Sequence, residues 1–474
     1  LLTRLEVDGF KNLVDFSVDF GPFTCIAGPN GVGKSNIFDA IRFLSLLADH
    51  TIVEAAMLVR GSDVETSDIR DLFWAQGKDR AAEFRIAAEM IVEPNVRDDF
   101  ARPVEATSTF LRYEVKIGYE EPTHRGMLGR LVLLSETLQY ITEGDAKSHL
   151  RFPHSRQNFR SAAVNNKRRS QDGFISVHRA DDGQTEIVVH QDGGSRGQGL
   201  KSPAATAPRT IVATSNTSDT PTILAVRREM QSWTFLALEP SAMRKPDRFL
   251  ADAHISSGGG HVPATLNRLV AEAELRGEAP EDVYARVVTH VAQLVPIADL
   301  YVEVDEVRQL LTLMVGEQSG VRLPAASLSD GTLRFLTLAT IVSDPSARGL
   351  FCIEEPENGI HPAKMIQMVE LLQDLAFDAS TSLGSDNPFR QVIVATHSPA
   401  FVQLQNRDDL LFAVEARIKG TGHNPVRTLR CRPLDATWRA KADEPTVGLA
   451  TVLAYLSVPP GAQLELPELA GVQG

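Results

Sequence analysis

Eight residues constrain this chain more than any others. Gly28-Pro29-Asn30-Gly31-Val32-Gly33-Lys34-Ser35 follows a short apolar run, Phe23-Thr24-Cys25-Ile26-Ala27. It precedes a stretch with apolar residues at Ile37, Ile41, Leu44 and Leu47. The run predicts a buried strand, and the spacing predicts a helix over 36–48. Strand, glycine-rich loop and helix in that order fit G-x-x-x-x-G-K-[ST]. Glycines let successive backbone N–H groups curl into an anion-binding nest. The helix beginning near Lys34 aims its positive end at phosphate. In such a loop the lysine bridges the β- and γ-phosphates and the serine holds Mg²⁺.

Composition narrows the class. With 474 residues, 43% hydrophobic and 23% charged, the chain suits about three globular domains or lobes of ~150 residues. Disordered, collagen-like and disulfide-scaffold chains are excluded. No apolar run reaches the roughly 18 residues of a membrane span. Leu1-Leu2-Thr3-Arg4 shows no basic and then apolar leader. Cys25, Cys352 and Cys431 have no metal-ligand spacing, and the first two sit in apolar runs as small hydrophobes. These features predict a cytoplasmic protein without a membrane partner. The net charge of −13 excludes a uniformly basic nucleic-acid binder, so any such contact needs a local patch.

Three further motifs carry chemistry. Leu350-Phe351-Cys352-Ile353-Glu354-Glu355 reads as a buried strand ending in two carboxylates. One can hold Mg²⁺ through water, and the second can orient and deprotonate an attacking water. Ser327-Leu328-Ser329-Asp330-Gly331-Thr332 opens a helix over 332–343. Thr396-His397-Ser398-Pro399 follows a buried strand at 391–395. Each alone has a plain structural reading: solvated acids, a helix cap, a structural histidine.

Taken jointly, the four motifs make the chain resemble the ABC-type ATPases. Within them it is similar to the branch of the SMC, Rad50 and RecF proteins and the overcoming-lysogenization-defect (OLD) ATPases. The string Glu354-Glu355-Pro356-Glu357-Asn358-Gly359-Ile360-His361-Pro362 resembles the Walker B and D-loop of stand-alone OLD-like members. The resemblance implies ATP and Mg²⁺ as cofactors. It implies nucleotide contacts from Asn30, Gly31, Gly33, Lys34, Ser35 and Asn36, and from the signature residues Ser329 and Gly331. It makes Glu355 the general base, His397 the γ-phosphate switch, and Ser35 and Glu354 the metal residues. Gln76 is the candidate for the Q-loop ligand of Mg²⁺, with a surface glutamine as the alternative. Two positions depart from the family: Glu354 stands where Walker B usually has Asp, and Asp330 where a transporter has Gly.

The implied fold is an α/β P-loop NTPase head of mixed sheets flanked by helices. An inserted β-rich lobe and a short helical subdomain complete it. The expected organisation is 1–145 as the first part of the head, 146–260 as the insertion, 261–300 as the helical subdomain, 301–440 as the second part, and 441–474 as a tail. Strands are predicted at 83–93, 110–119 and 131–140, with a hairpin of 174–178 and 186–190 turning at Asp181-Asp182-Gly183. Helices are predicted at 264–276, 281–294 and 362–376, a second hairpin at 301–305 and 310–315, and weaker strands at 410–415 and 427–431. No heptad pattern lasts three repeats, so no long coiled-coil arm is expected.

In that family the signature serine completes a partner's site, which implies a head-to-tail homodimer or higher even oligomer. Only 77 residues follow His397, with no Asp-x-Asp pair, so a Toprim nuclease domain is not expected. The functional expectation is an ATP-gated sensor or scaffold in bacterial anti-phage defence or DNA repair, with a separate nuclease or toxin as effector. Alternatives are a weakly hydrolysing switch that holds a toxin inactive, and a RecF-like repair loader.

One segment stands out by charge. Lys147, Arg151, Arg156, Arg160, Lys167, Arg168 and Arg169 occur with no acid between them, and Phe152 and Phe159 are interleaved. Two readings stand. One is a DNA contact through Arg160, Lys167, Arg168 and Arg169 with aromatics for stacking. The other is a solvated or protein-docking segment.

Overall fold

The computed structural model describes residues 1–59, 68–122, 124, 129–168, 172–181, 183–192, 199–292, 295–384, 386–419, 425–442 and 444–457. The chain divides into two units. The first comprises Leu1–Trp233, Asp378–Leu383 and Arg407–Gly474; the second comprises Thr234–Phe377 and Gly384–Asn406.

Alternating burial builds the main sheet of the first unit. In Phe110–Glu120 the side chains of Leu111, Tyr113, Val115 and Ile117 are buried, while Arg112, Glu114 and Lys116 lie on the other face. That second face carries a cross-strand charge ladder, with Arg112 2.7 Å from Glu6 and Arg85 3.0 Å from Glu114. The antiparallel strands run Leu200–Pro203, Thr185–Val189, Ile175–Arg179, Arg130–Tyr140, Phe110–Glu120, Glu83–Ile91, Leu2–Asp8 and Phe16–Asp19. Phe10, Phe43 and Phe73 surround Phe84 with tilted edges, at centroid distances down to 5.0 Å. Phe43 comes from the helix Lys34–Leu47. The strand Phe23–Ala27 is buried throughout and pairs in parallel with Leu410–Ile418, which pairs antiparallel with Val426–Pro433.

The stretch 146–260, expected as a lobe, is not a body of its own. Its strands extend the edge of the main sheet, starting where Ile175 pairs with Leu138. The helix Pro221–Gln231 buries Ile223, Leu224, Val226 and Met230, and the Met230 carbonyl accepts from Ser45 Oγ at 2.8 Å. Its apolar runs are too short to enclose a core, so they use the existing one. At Thr234 the chain passes into the second unit, which it follows to Phe377. The expected tail contains a helix, Leu449–Ser457, whose Tyr455 meets Phe412 at 5.7 Å between centroids; residues 458–474 lie outside the described residues.

In the second unit Thr234–Leu236, Gly349–Glu354 and Arg390–Thr396 pair in parallel, and the last two are almost wholly buried. Helices Val262–Leu275, Pro280–Val291, Asp330–Ser343 and Met365–Leu375 accompany them. A small antiparallel sheet joins Asp247–Arg248, Leu310–Glu317, Ile297–Asp305 and Arg322–Pro324. The buried Arg390 donates to the carbonyls of Val342, Asp344 and Ala347, closing the C-terminal end of Asp330–Ser343. Thus the chain has the expected α/β P-loop fold of mixed sheets with flanking helices. Among the described residues no helix exceeds 14 residues, and none is long and apolar enough to cross a membrane.

Candidate active site

The glycine loop of the first unit is held from outside by one asparagine. Gly33 has φ 105° and Gly31 φ 79°, conformations that favour glycine. A Cβ on Gly33 would stand 2.2 Å from Asn12 Nδ2. Asn12 Nδ2 donates to the Val32 carbonyl at 3.0 Å, and Asn36 Nδ2 donates to Asn12 Oδ1 at 2.8 Å. The next residue back, Lys11, pairs with Asp39 at 2.7 Å. Lys34 is buried, and its Nζ donates to the carbonyls of Gly28 at 2.6 Å and Pro29 at 3.1 Å. The ammonium is therefore already poised over the loop that it would serve.

No acidic residue occupies the first turn of Lys34–Leu47, so the helix dipole is uncompensated there. Asn30, Gly31 and Ser35 are exposed at the rim. The Ser35 hydroxyl makes no side-chain hydrogen bond among the described residues, which suits a hard cation that seeks oxygen. Beside Asn12 a cleft of about 370 Å³ is lined by Lys11, Asn12, Phe73, Trp74, Arg80 and others.

Gln76 lies on that cleft but is not free. Its Nε2 donates to the Pro425 carbonyl at 2.9 Å, and its Oε1 accepts from Arg427 N at 2.9 Å. Both ends of the amide serve backbone groups at Pro425 and Arg427, so the Q-loop reading gives way to the structural one.

In the second unit the strand Gly349–Glu354 delivers the carboxylates. Glu354 closes the strand opposite Ala395 and carries no side-chain hydrogen bond or ion pair among the described residues. Glu355 has φ 46°, a left-handed conformation that costs a non-glycine residue about 1–2 kcal/mol. Its backbone N–H still donates to the Ala395 carbonyl at 2.9 Å. The turn therefore re-aims the side chain without breaking the sheet, and strain of this kind collects at functional positions. The carboxylate comes within 2.6 Å of His397 Nδ1, at the end of the neighbouring strand Arg390–Thr396.

Two residues on which the sequence reading placed no role stand beside these. Glu357 is 7% exposed and accepts from Thr396 Oγ1. Burial, with the charge of Glu355 adding to it, pushes its carboxyl up to about 7. The available signal was its place as the third acid in four residues. Arg244 donates to the Leu328 carbonyl at 3.1 Å and to the Asp330 carboxylate. Asp330, the departure from Gly, thus anchors the turn expected to serve as the signature. Ser329 caps the helix by accepting from Thr332 N at 3.3 Å. A Cβ on Gly331 would lie 3.3 Å from the Gly359 carbonyl, so this turn packs directly on the loop after Glu355.

The basic segment is spent in part. Phe152 and Phe159 are buried and face each other at 5.8 Å, so neither is available to stack on a base. Arg151 pairs with Asp19 at 2.8 Å, and Lys167 with Glu105 at 2.5 Å. Arg168 donates to the carbonyls of Asp172, Gly173 and Gln191 and lies 4.4 Å above Phe174. Arg160 ends the turn Arg156–Arg160, half-buried. Arg169 lies outside the described residues.

Comparison with known proteins adds the following. Residues 219–403 match the family described as "AAA domain, putative AbiEii toxin, Type IV TA system", and residues 4–86 the family described as "AAA domain". The chain is 36% identical over 61 residues to the DNA replication and repair protein RecF of Porphyromonas gingivalis, 13% of this chain and 17% of that protein. It is 37% identical over 106 residues to the chromosome partition protein Smc of Bacillus subtilis, 22% of this chain and 8% of that one. The match thus spans less than a fifth of these relatives. Among solved structures, an Smc head bound to the C-winged helix domain of ScpA aligns over 92% of this chain and 98% of that chain, with 14% identity and a TM-score of 0.47. The SMC head domain from Thermotoga maritima aligns over 92% and 99%, with 12% identity and a TM-score of 0.38.

Proposed function

We propose that the chain is an ABC-type ATPase of the branch that holds the SMC, RecF and Rad50 proteins, that it binds ATP on the loop Gly28–Ser35, and that it hydrolyses it with Glu355 as general base. The observation that carries this reading is the contact of Glu355 with His397 at 2.6 Å on a strained strand end. Mg²⁺, when bound, neutralises phosphate charge; Ser35, and Glu354 through water, would hold it. Lys34 exchanges its two carbonyl partners for phosphate oxygens. Glu355 takes the proton of the attacking water, and His397, in contact with the same carboxylate, links that proton transfer to the γ-phosphate. The cleft beside Asn12, with Phe73 and Trp74 in its wall, receives the nucleoside.

Two copies pair head to tail, and the helix start at Ser329 and Gly331 completes the partner's site. Binding closes the pair and hydrolysis opens it, because the γ-phosphate contacts exist in only one state. The work so gated is that of a cytoplasmic sensor or scaffold in bacterial anti-phage defence or DNA repair, with a separate nuclease or toxin as effector. A second reading, a switch that holds a toxin inactive, is favoured by the toxin–antitoxin wording of the family matched at 219–403. The repair-loader reading loses some support, because Arg168 of the basic segment is held by backbone carbonyls and its two phenylalanines are buried.

Glu355→Gln tests the proposal. ATP turnover falls at least about 100-fold, while nucleotide stays bound and the pair stays closed by light scattering. A chain that retains no nucleotide at millimolar Mg²⁺, or a Glu355→Gln variant with unchanged turnover, refutes it.

A further inference from the structure

We propose that Glu355, Glu357 and His397 form a binding site for a divalent transition-metal cation of the zinc class. One donor atom from each lies within 4.8 Å of the other two. Glu357 is 7% exposed, and its Oε2 is buried without a hydrogen-bond partner. Its other oxygen is held by Thr396 Oγ1, a contact of the kind that fixes the orientation of a ligating carboxylate. Glu355 Oε2 and His397 Nδ1 are also buried atoms that lack a directed hydrogen bond, although they stand 2.6 Å apart.

Three buried, inward-facing polar atoms without a directed hydrogen bond are costly to leave so, at about 1–3 kcal/mol each. A cation satisfies all three. One imidazole nitrogen with two carboxylates suits Zn²⁺, Co²⁺ or Mn²⁺, whereas Ca²⁺ and Mg²⁺ favour all-oxygen sets. Three protein ligands leave a fourth position for water. The ligands come from the ends of two hydrogen-bonded strands, with Glu355 N bonded to the Ala395 carbonyl, so the site is largely formed in advance. None of the three is a residue expected to carry Mg²⁺. One consequence rests on the reading of Glu355 as general base: a cation there occupies its carboxylate and brakes hydrolysis.

The test uses the full nucleotide-free chain. Zn²⁺ is titrated in competition with a chromophoric chelator, and Co²⁺ absorption reports the ligand field. One equivalent binds. Glu357→Gln and His397→Ala each weaken it at least about tenfold, with circular dichroism unchanged. His254→Ala, an exposed histidine paired with Asp252, leaves affinity unchanged. Lys34→Ala, which gives up triphosphate, keeps the metal. If Glu357→Gln fails to fold, His397→Ala at its half-exposed position decides. No saturable binding at micromolar free Zn²⁺, or equal affinity in wild type and both variants, overturns the site. Zn²⁺ also slows wild-type turnover; unchanged turnover with the site filled overturns the brake. If no turnover exists at all, the ATPase reading falls while the titration still decides the metal.

Discussion

Gly33→Ala probes the clasp that shapes the phosphate loop. The new methyl forces a side chain onto φ 105°, at about 1–3 kcal/mol. It also lands 2.2 Å from Asn12 Nδ2, so Asn12 must leave. That breaks its bonds to Val32 and Asn36, at roughly 0.5–1.5 kcal/mol each. The total is about 2–6 kcal/mol. The loop has to recover its shape to hold a triphosphate, so the cost comes off the binding free energy. ATP affinity falls at least about 30-fold, read as the Kd of a fluorescent ATP analogue with Mg²⁺. Asn12→Ala alone costs only the two hydrogen bonds, about 1–3 kcal/mol. In the double variant the methyl meets no amide, and those bonds are lost once rather than twice. The double variant is therefore less impaired than the sum of the single ones by about 1–3 kcal/mol. Additivity within about 0.5 kcal/mol refutes the reasoning, because it means that Asn12 does not clasp the loop.

Other outcomes follow from particular groups. Glu136 is buried and accepts from Tyr113 Oη and from the N–H groups of Ile211 and Val212, yet burial still lifts its carboxyl to about 7. The folded chain therefore keeps a proton that the unfolded chain releases from about pH 4.5, and stability falls as pH rises through 7, by up to about 3 kcal/mol. Glu136→Gln flattens that profile in urea titrations at pH 5 and 8, and an unchanged profile refutes the assignment. Arg244→Ala frees the signature turn from its two bonds to Leu328 and Asp330. In a Glu355→Gln background it weakens ATP-dependent pairing about tenfold by light scattering, and unchanged pairing refutes the anchor role. Arg168→Ala removes three bonds to carbonyls and a cation–π contact, lowering stability by about 1–3 kcal/mol. Loss of DNA retention without loss of stability in that variant would restore the DNA reading.

What could be read without the fold were features whose cause is local. Gly31 and Gly33 sit at positive φ because a loop that turns N–H groups inward excludes a Cβ, and the glycines announce that in the string. The strand ends at Glu354 and His397 followed from apolar runs that burial demands. The charged positions were read less well, because their meaning depends on partners far along the chain. Lys167 meets Glu105, 62 residues away, and Arg151 meets Asp19, 132 residues away. A run of cations free of acids therefore described the neighbours in sequence and not the neighbours in space. Gln76 fails for the same reason, since its amide is spent on backbone about 350 residues later. Glu357 is the converse case. Its neighbours in sequence read as a solvated acidic turn, but the strand bearing Thr396 closes over it. Burial, which no string displays, turns a surface acid into a group that can sit protonated near neutral pH or ligate a metal.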